Sequence, residues 1–236
     1  MIAWRLHHAV ETASTNLDAR AGLPGDVYTA DYQTAGRGRL DHRWLSPPGT
    51  NLMMSAVLGV ADLPPEQIAT LPLVVGLAVV RAVARFLPAP ARPLLKWPND
   101  VLVDGRKLAG ILCERQNDGV IAGIGVNVGQ RAFPTEIAAT ATSLSCLAAT
   151  SVSCATVRTA ILEELAELHD RWTGGGFAAV YSEIAAIDWL KGRNLLVRQT
   201  DDDAEPIGGT CGGIAPDGSL DVGGVKVYAG EAHIIR

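Results

Sequence analysis

Apolar positions recur along the chain first as short alternating runs and then at helical spacing. Trp4 to Val10 reads as a first strand, and Leu17 to Ala21 as a short helix closed by Gly22 and Pro24. Thr15 with Asp18 matches a T-x-x-D helix-capping pair. Val27 to Tyr32 and Asn51 to Leu58 read as strands, with a Pro-Pro-Gly turn before the second. Pro65 to Leu87 is expected to be the longest helix, with Ile68, Leu71, Val75, Ala78, Val79, Ala82, Val83 and Phe86 inward. Pro72, Arg81 and Arg85 interrupt it, so it reads as a core helix on a sheet; a membrane span needs about 20 apolar residues. After the rigid loop Pro88 to Pro93, Val101 to Val103 and Leu108 to Cys113 form a hairpin about Asp104-Gly105. Pro98 pushes Trp97 towards extended geometry, which puts Lys96 at a strand end. Gly119 to Val128 is a glycine-interrupted strand. Ala155 to Trp172 is an amphipathic helix with Val157, Ile161, Leu165 and Leu168 inward. Gly174-Gly175-Gly176 ends it, Phe177 to Ala186 gives another helix, and short strands fill Asn194 to Ile235.

A length of 236 residues allows one large domain, or one with a small appendage. With 48% hydrophobic and 19% charged residues the chain is an ordinary globular one. A net charge of −5 argues against nucleic acid as the main partner. Cys113, Cys146, Cys154 and Cys211 form no C-x-x-C pair, and the first residues lack the apolar core of a signal peptide. Both point to a cytoplasmic protein.

Two stretches carry candidate chemistry. In the hairpin, Lys96, Asn99, Asp100 and Lys107 come close together, and two ammonium groups beside a carboxylate suit phosphate and a metal. A surface hairpin with solvated lysines would have the same spacing. In Gln33 to Trp44, QTAGRGRLDHRW, Gly36 and Gly38 let the backbone approach a ligand, and Arg37, Arg39 and Arg43 bring forks for carboxylate or phosphate. The third glycine of a dinucleotide-binding fingerprint is absent and no helix pattern follows. Two further positions have both a plain and a functional explanation. Ser14 to Asn16 is a helix start whose free N–H groups can meet a ligand, and Asn127 is a polar side chain in an apolar run.

STN at Ser14–Asn16, YQTAGRGR at Tyr32–Arg39 with Trp44 after it, KWPND at Lys96–Asp100, RKLAGIL at Arg106–Leu112 and GIGVNV at Gly123–Val128 together resemble the biotin protein ligases (biotin–acetyl-CoA-carboxylase ligases) in order and spacing. One departure is Asp41-His42, where the family often has Gly-Arg. The resemblance implies an α/β (α+β) fold, a mixed, mainly antiparallel sheet with helices packed on it, over residues 1–186. A small SH3-like β-barrel is implied over 187–236. It further implies an ATP- and Mg²⁺-dependent ligase that makes biotinyl-5′-AMP and transfers biotin to a lysine of a biotin carboxyl carrier protein or domain. Ser14, Thr15, Asn16 and Gln33 would hold the ring of biotin, with Gly36, Arg37, Gly38, Arg39 and Lys107 completing its site. Lys107 and Arg39 would be catalytic. Trp44, Lys96, Asn99, Asp100, Gly125 and Asn127 would bind the nucleotide, and Asp100 the metal. The Arg/Gly loop is expected to be mobile when empty.

The motifs begin at Ser14, which leaves no room for the amino-terminal DNA-binding domain of some family members. No DNA or membrane partner is expected, and monomer or homodimer stays open. Two rivals stand beside this reading. A lipoate or octanoate ligase or transferase would not need polar contacts to a ureido ring. A binding module with the loop on RNA leaves the hairpin lysines unexplained.

Overall fold

The computed structural model describes residues 2–40, 42–60, 62–116, 119–147, 151–199 and 205–235. In chain order the elements are β1 (Arg5–Thr12), α1 (Thr15–Asp18), β2 (Asp26–Gln33), β3 (Leu52–Gly59), α2 (Pro65–Ile68) and α3 (Leu71–Ala84). Then come β4 (Pro93–Lys96), β5 (Asp100–Val103), β6 (Arg106–Gln116), β7 (Gly119–Val126), α4 (Leu144–Leu147), α5 (Cys154–Gly175) and α6 (Ala178–Ala186). The last are β8 (Asn194–Arg198), β9 (Ile207–Ile214), β10 (Leu220–Val222), β11 (Val225–Val227) and β12 (Glu231–Ile234).

Strands β1 to β7 form one seven-stranded sheet in the order β1-β2-β3-β7-β6-β5-β4. Only the β1–β2 pair is parallel among the described strands, so the sheet is the mixed, mainly antiparallel one expected. Side chains alternate between its faces. Met54, Ala56, Ile111, Ile124 and Val126 share one apolar cluster with Val75 and Val79 of α3 and Leu165 of α5. At Gly76, α3 comes so near β4 that an added Cβ would lie 2.5 Å from Leu95 Cδ1.

The helix expected over Pro65 to Leu87 is two helices, and α5, at 22 residues, is the longest. Pro72 lacks an N–H, and its ring would strike the carbonyl of residue 68 in a continuous helix. The chain therefore turns at Ala69-Thr70, where Thr70 Oγ1 donates to the Gln67 carbonyl, and restarts with Pro72 in the first turn. By length and composition Pro65–Ala84 is apolar enough to cross a membrane, but 72% of its apolar window is buried inside the protein. A second correction concerns the cap at Thr15. Ser14 is the N-cap residue and its side chain makes no capping bond, while the Thr15 hydroxyl is engaged elsewhere.

The carboxy-terminal strands form an antiparallel sheet in the order β11-β10-β9-β8-β12. The expected barrel does not close among the described residues: β11 and β12 are opposite edges, and the three residues of β11 pair only with β10. This sheet is held tightly to the first. After α6 the chain bonds to β4, Leu95 N–H donating to Ile187 O and Trp189 N–H to Leu95 O. Trp97 Nε1 donates to the Gly218 carbonyl and Tyr181 Oη to the Ile214 carbonyl, and one apolar cluster spans both sheets.

At the β1–β2 edge, buried Asp26 accepts from the Leu23 N–H, from Arg5 Nε at 2.7 Å and from His7 at 3.2 Å. The Leu23 backbone bond, aided by His7 and Arg5, lowers its pKa from 3.8 to about 2 despite burial. A depressed carboxyl pKa stabilises the fold fully above its unfolded value, and that stability disappears as the pH falls through the folded value. Wild type is therefore expected to lose about 2 kcal/mol more stability than Asp26→Asn between pH 5 and about pH 2. Urea unfolding at the two pH values measures it, and equal losses would refute the assignment.

Candidate active site

The sheet face away from α3 and α5 carries a cavity of about 370 Å³. Its base is set by strand register. Asp100 stands opposite Gly110, Gly110 opposite Gly125, and Gly125 opposite Met53, forming one row across four strands. Two residues further along, Leu112, Gly123 and Ser55 form the next row on the same face. Strict alternation would send Lys107 and Gly110 to opposite faces. A bulge prevents this: Leu102 pairs with Lys107 and Val101 with Ala109, leaving Leu108 as an extra residue. Leu108 is buried in the core and Lys107 is brought to the cavity side.

The turn supports that geometry. Asp104 and Gly105 have φ of 51° and 73°, the left-handed pair required by a tight two-residue hairpin. The Lys107 ammonium lies 2.6 Å from Asp100 Oδ1. Its backbone is held from outside the hairpin: Lys107 N–H donates to Thr140 O, and Thr142 N–H donates to Lys107 O.

The glycines make room for protein side chains. A Cβ on Gly125 would lie 2.5 Å from the Trp44 ring, and one on Gly110 3.2 Å from both Trp44 and Lys107. The indole therefore lies on a base of two paired glycines, with Lys107 Nζ 6.0 Å from its centroid. The buried Nε1 of Trp44 has no hydrogen-bond partner in the protein. Trp44 is delivered by the Arg/Gly loop, which folds back on itself: Trp44 N–H donates to Gly36 O and Gly38 N–H to His42 O. At Gly36 an added Cβ would lie 2.5 Å from the Trp44 carbonyl.

Arg39 reaches from this loop to Asn99 Oδ1 at 3.4 Å and to the Gly230 carbonyl at 3.3 Å. Burial lowers its pKa, opposed by Glu231 and Asp100, and an arginine so placed remains a cation. His42 Nε2 lies 3.4 Å from Glu231, so the second sheet meets the loop at its tip. Asp41 lies outside the described residues.

At the other end of the cavity is a buried polar chain. Gln33 Oε1 accepts the Thr15 N–H at 2.8 Å and lies 3.1 Å from Thr15 Oγ1. Ser55 Oγ lies 2.7 Å from Thr15 Oγ1 and 2.6 Å from Asn16 Oδ1. Asn16 Nδ2 donates to Glu114 Oε2 at 2.6 Å and to the Leu112 carbonyl, which fixes which end of the amide is oxygen. Two hydroxyl protons are therefore shared among three oxygen–oxygen contacts, and the chain keeps lone pairs without a donor. Because Thr15 holds Oε1 of Gln33, the two N–H bonds of its Nε2 are left for a ligand.

The cavity brings together Ser14, Thr15, Asn16, Gln33, Arg37, Gly38, Arg39, Trp44, Asn99, Asp100, Lys107, Gly125 and Asn127. Gly36 and Lys96 are outside its lining: Gly36 is packed under Trp44, and Lys96 is at the outer edge strand β4. Asn127 Nδ2 is already used by the Thr142 and Lys107 carbonyls, leaving Oδ1. Sequence reasoning missed Ser55, Glu114 and Glu231. Ser55 has a signal, as a lone hydroxyl in an apolar strand. Glu114 has one in its register, four residues past Gly110 on the same face. Glu231 has none.

No group of three or more His, Cys, Asp or Glu residues is placed to hold a metal among the described residues. The Asp100 carboxylate, with Oδ1 on Lys107, fits a hydrated Mg²⁺ that arrives on phosphate oxygens, which needs only one or two protein carboxylates.

Fold and site together define a cavity with the Lys107 ammonium at one end and a polar pocket with both donors and acceptors at the other. Residues 12–130 match the model of the biotin/lipoate A/B protein ligase family. The biotin–[acetyl-CoA-carboxylase] ligase of Mycobacterium tuberculosis is 36% identical over 249 residues, covering 99% of this chain and 90% of that protein. The biotin protein ligase of Aquifex aeolicus, solved in complex with biotin and ATP, matches with a TM-score of 0.85 and 29% identity over 98% of each chain. The Leishmania major enzyme, solved with biotinyl-5-AMP, matches at 0.67 and 27%, also over 98% of each. This chain belongs to the biotin/lipoate A/B protein ligase family.

A Cβ on Gly123 would lie 2.2 Å from Asn16 Oδ1, and Asn16 is tied at both ends of its amide. Gly123→Ala is expected to cost about 1–3 kcal/mol of unfolding free energy. Gly174→Ala, in α5 with nothing within 4 Å, should cost nothing or stabilise slightly. Parallel urea melts compare them, and equal stabilities would contradict the packing described.

Proposed function

We propose that this chain activates biotin with ATP as biotinyl-5′-AMP and then transfers the biotinyl group to a lysine of a biotin carboxyl carrier protein. The observation that carries the reading is the pairing of two ends in one cavity. The Thr15–Ser55–Asn16 chain has more acceptor lone pairs than its hydroxyl protons use, and Gln33 Nε2 supplies donors. A cyclic urea has N–H groups for the first and a carbonyl for the second. A dithiolane or a saturated chain has neither and would leave these groups unpaired at a cost. Lys107 Nζ lies 3.3 Å from where a Cβ on Gly110 would stand, on the neighbouring row, and Arg39 lines the same cavity from the loop.

In the first step a carboxylate oxygen attacks the α-phosphorus, forming an acyl phosphate bond and expelling pyrophosphate. The reactants repel each other as anions. The Lys107 ammonium, held by Asp100, would touch both and neutralise charge as the bond forms. Mg²⁺ at Asp100 would offset the charge of the pyrophosphate. In the second step a neutral carrier amine attacks the acyl carbon, AMP leaves, and the amine's extra proton goes to solvent. Arg39, clasped between Asn99 and the second sheet, would help keep water from the mixed anhydride until then.

No covalent enzyme intermediate is needed. All four cysteines are free, and burial pushes Cys113 up to about 12 and Cys211 to about 11, so neither is a nucleophile at neutral pH. Four unpaired cysteines accord with a reducing, cytoplasmic compartment.

Incubation with ATP, Mg²⁺ and biotin, lipoate or octanoate, read by mass spectrometry, tests the proposal. Adenylate from biotin alone is expected, reduced at least about 100-fold in Lys107→Ala. Adenylate from lipoate would move the chain to the neighbouring branch of the family, and none from any acid would refute ligation.

A further inference from the structure

Glu114 does not line the cavity, yet it joins two side chains that do. Its Oε2 accepts from Asn16 Nδ2 at 2.6 Å and its Oε1 from Arg37 Nη1 at 2.9 Å. Asn16 belongs to the turn that begins α1 and is fixed on its other side by Ser55. Arg37 belongs to the Arg/Gly loop. These two segments lie 98 and 77 residues from Glu114 in sequence. The register of β6 is what brings the carboxylate to them, because Gly110, Leu112 and Glu114 share the cavity face. The Glu114 side chain is 24% exposed and that of Arg37 43%. Without a partner Arg37 would be a mobile surface arm.

We infer that Glu114 is a positioning residue that couples the ring-binding turn to the Arg/Gly loop. One carboxylate oxygen serves each segment, so displacement of Asn16 releases the carboxylate and with it Arg37. The converse also holds: a ligand that settles Asn16 steadies Arg37 and leaves the remaining donors of its fork directed at the cavity. The coupling depends on there being two acceptor oxygens. A glutamine here has one, and can hold Asn16 or Arg37 but not both. The link to biotin rests on the function proposed above, while the coupling between the two segments does not.

The loop contains its own reporter, because Arg37, Arg39 and Arg43 are trypsin sites. In the ligand-free full chain, Glu114→Gln and Asn16→Ala should each speed cleavage in the loop about threefold relative to cleavage at Arg171, with the Tm unchanged in Glu114→Gln. The double variant should be cut no faster than either single, since both break the same link. Rates that multiply in the double variant, or an Asn16→Ala loop cut at the wild-type rate, would overturn the coupling. So would cleavage at Arg171 in Glu114→Gln that speeds up as much as cleavage in the loop, together with a lower Tm, which marks a merely structural role. In the adenylation assay Glu114→Gln should raise the KM for biotin about threefold and leave the KM for ATP unchanged; equal rises in both would count against it. Failure of wild type to make any adenylate would refute the biotin reading alone, because the cleavage rates are measured without substrate.

Discussion

The ion pair between Lys107 and Asp100 is the contact on which the site depends. It joins adjacent strands of the hairpin at 2.6 Å, with the two side chains 39% and 20% exposed. An ion pair so open to solvent is worth about 1 kcal/mol or less, so its importance lies in aim more than in stability. The ammonium reaches that position only because Leu108 is an extra residue in β6. The bulge is itself secured by the Asp104-Gly105 turn and by the Thr140–Thr142 segment that brackets the Lys107 backbone. Local sequence, register and a distant loop thus converge on one side chain.

The rest of the sheet is divided by the same alternation. One face is a mainly apolar layer under α3 and α5, which provides the burial that holds the fold together. The other face gives up side-chain volume at Gly110, Gly123 and Gly125. Trp44 and Asn16 fill the space so made. These glycines weaken the strands, and the loss is offset by the indole and the amide network they admit. The cavity-lining groups are consequently set against the sheet, even though several belong to loops.

Much of this was legible in the chain. The Asp-Gly turn, the glycine-interrupted β7 and the Arg/Gly segment each have a local physical cause, and local causes survive folding. What could not be read depends on contacts distant in sequence. Thr15 looks like a helix cap because nothing nearby shows that Gln33 and Ser55 will claim its hydroxyl. Pro72 could have been given more weight, since its missing N–H is what divides the helix. Glu231 comes to the cavity only through the packing of the second sheet, and the open edges of that sheet depend on pairings among strands of three or four residues. Lys96 stands opposite Asp100 in the edge strand, outside the cavity lining, and its short motif does not reveal that distance from the cavity.

The central claim is that two anions are joined in this cavity, the carboxylate oxygen becoming part of the phosphate. Biotin labelled with ¹⁸O in its carboxylate tests this directly when supplied with ATP, Mg²⁺ and a carboxyl carrier domain. The account predicts one ¹⁸O atom in each AMP released, because the acyl–oxygen bond is broken in the transfer. Biotinylated carrier formed with unlabelled AMP would contradict it.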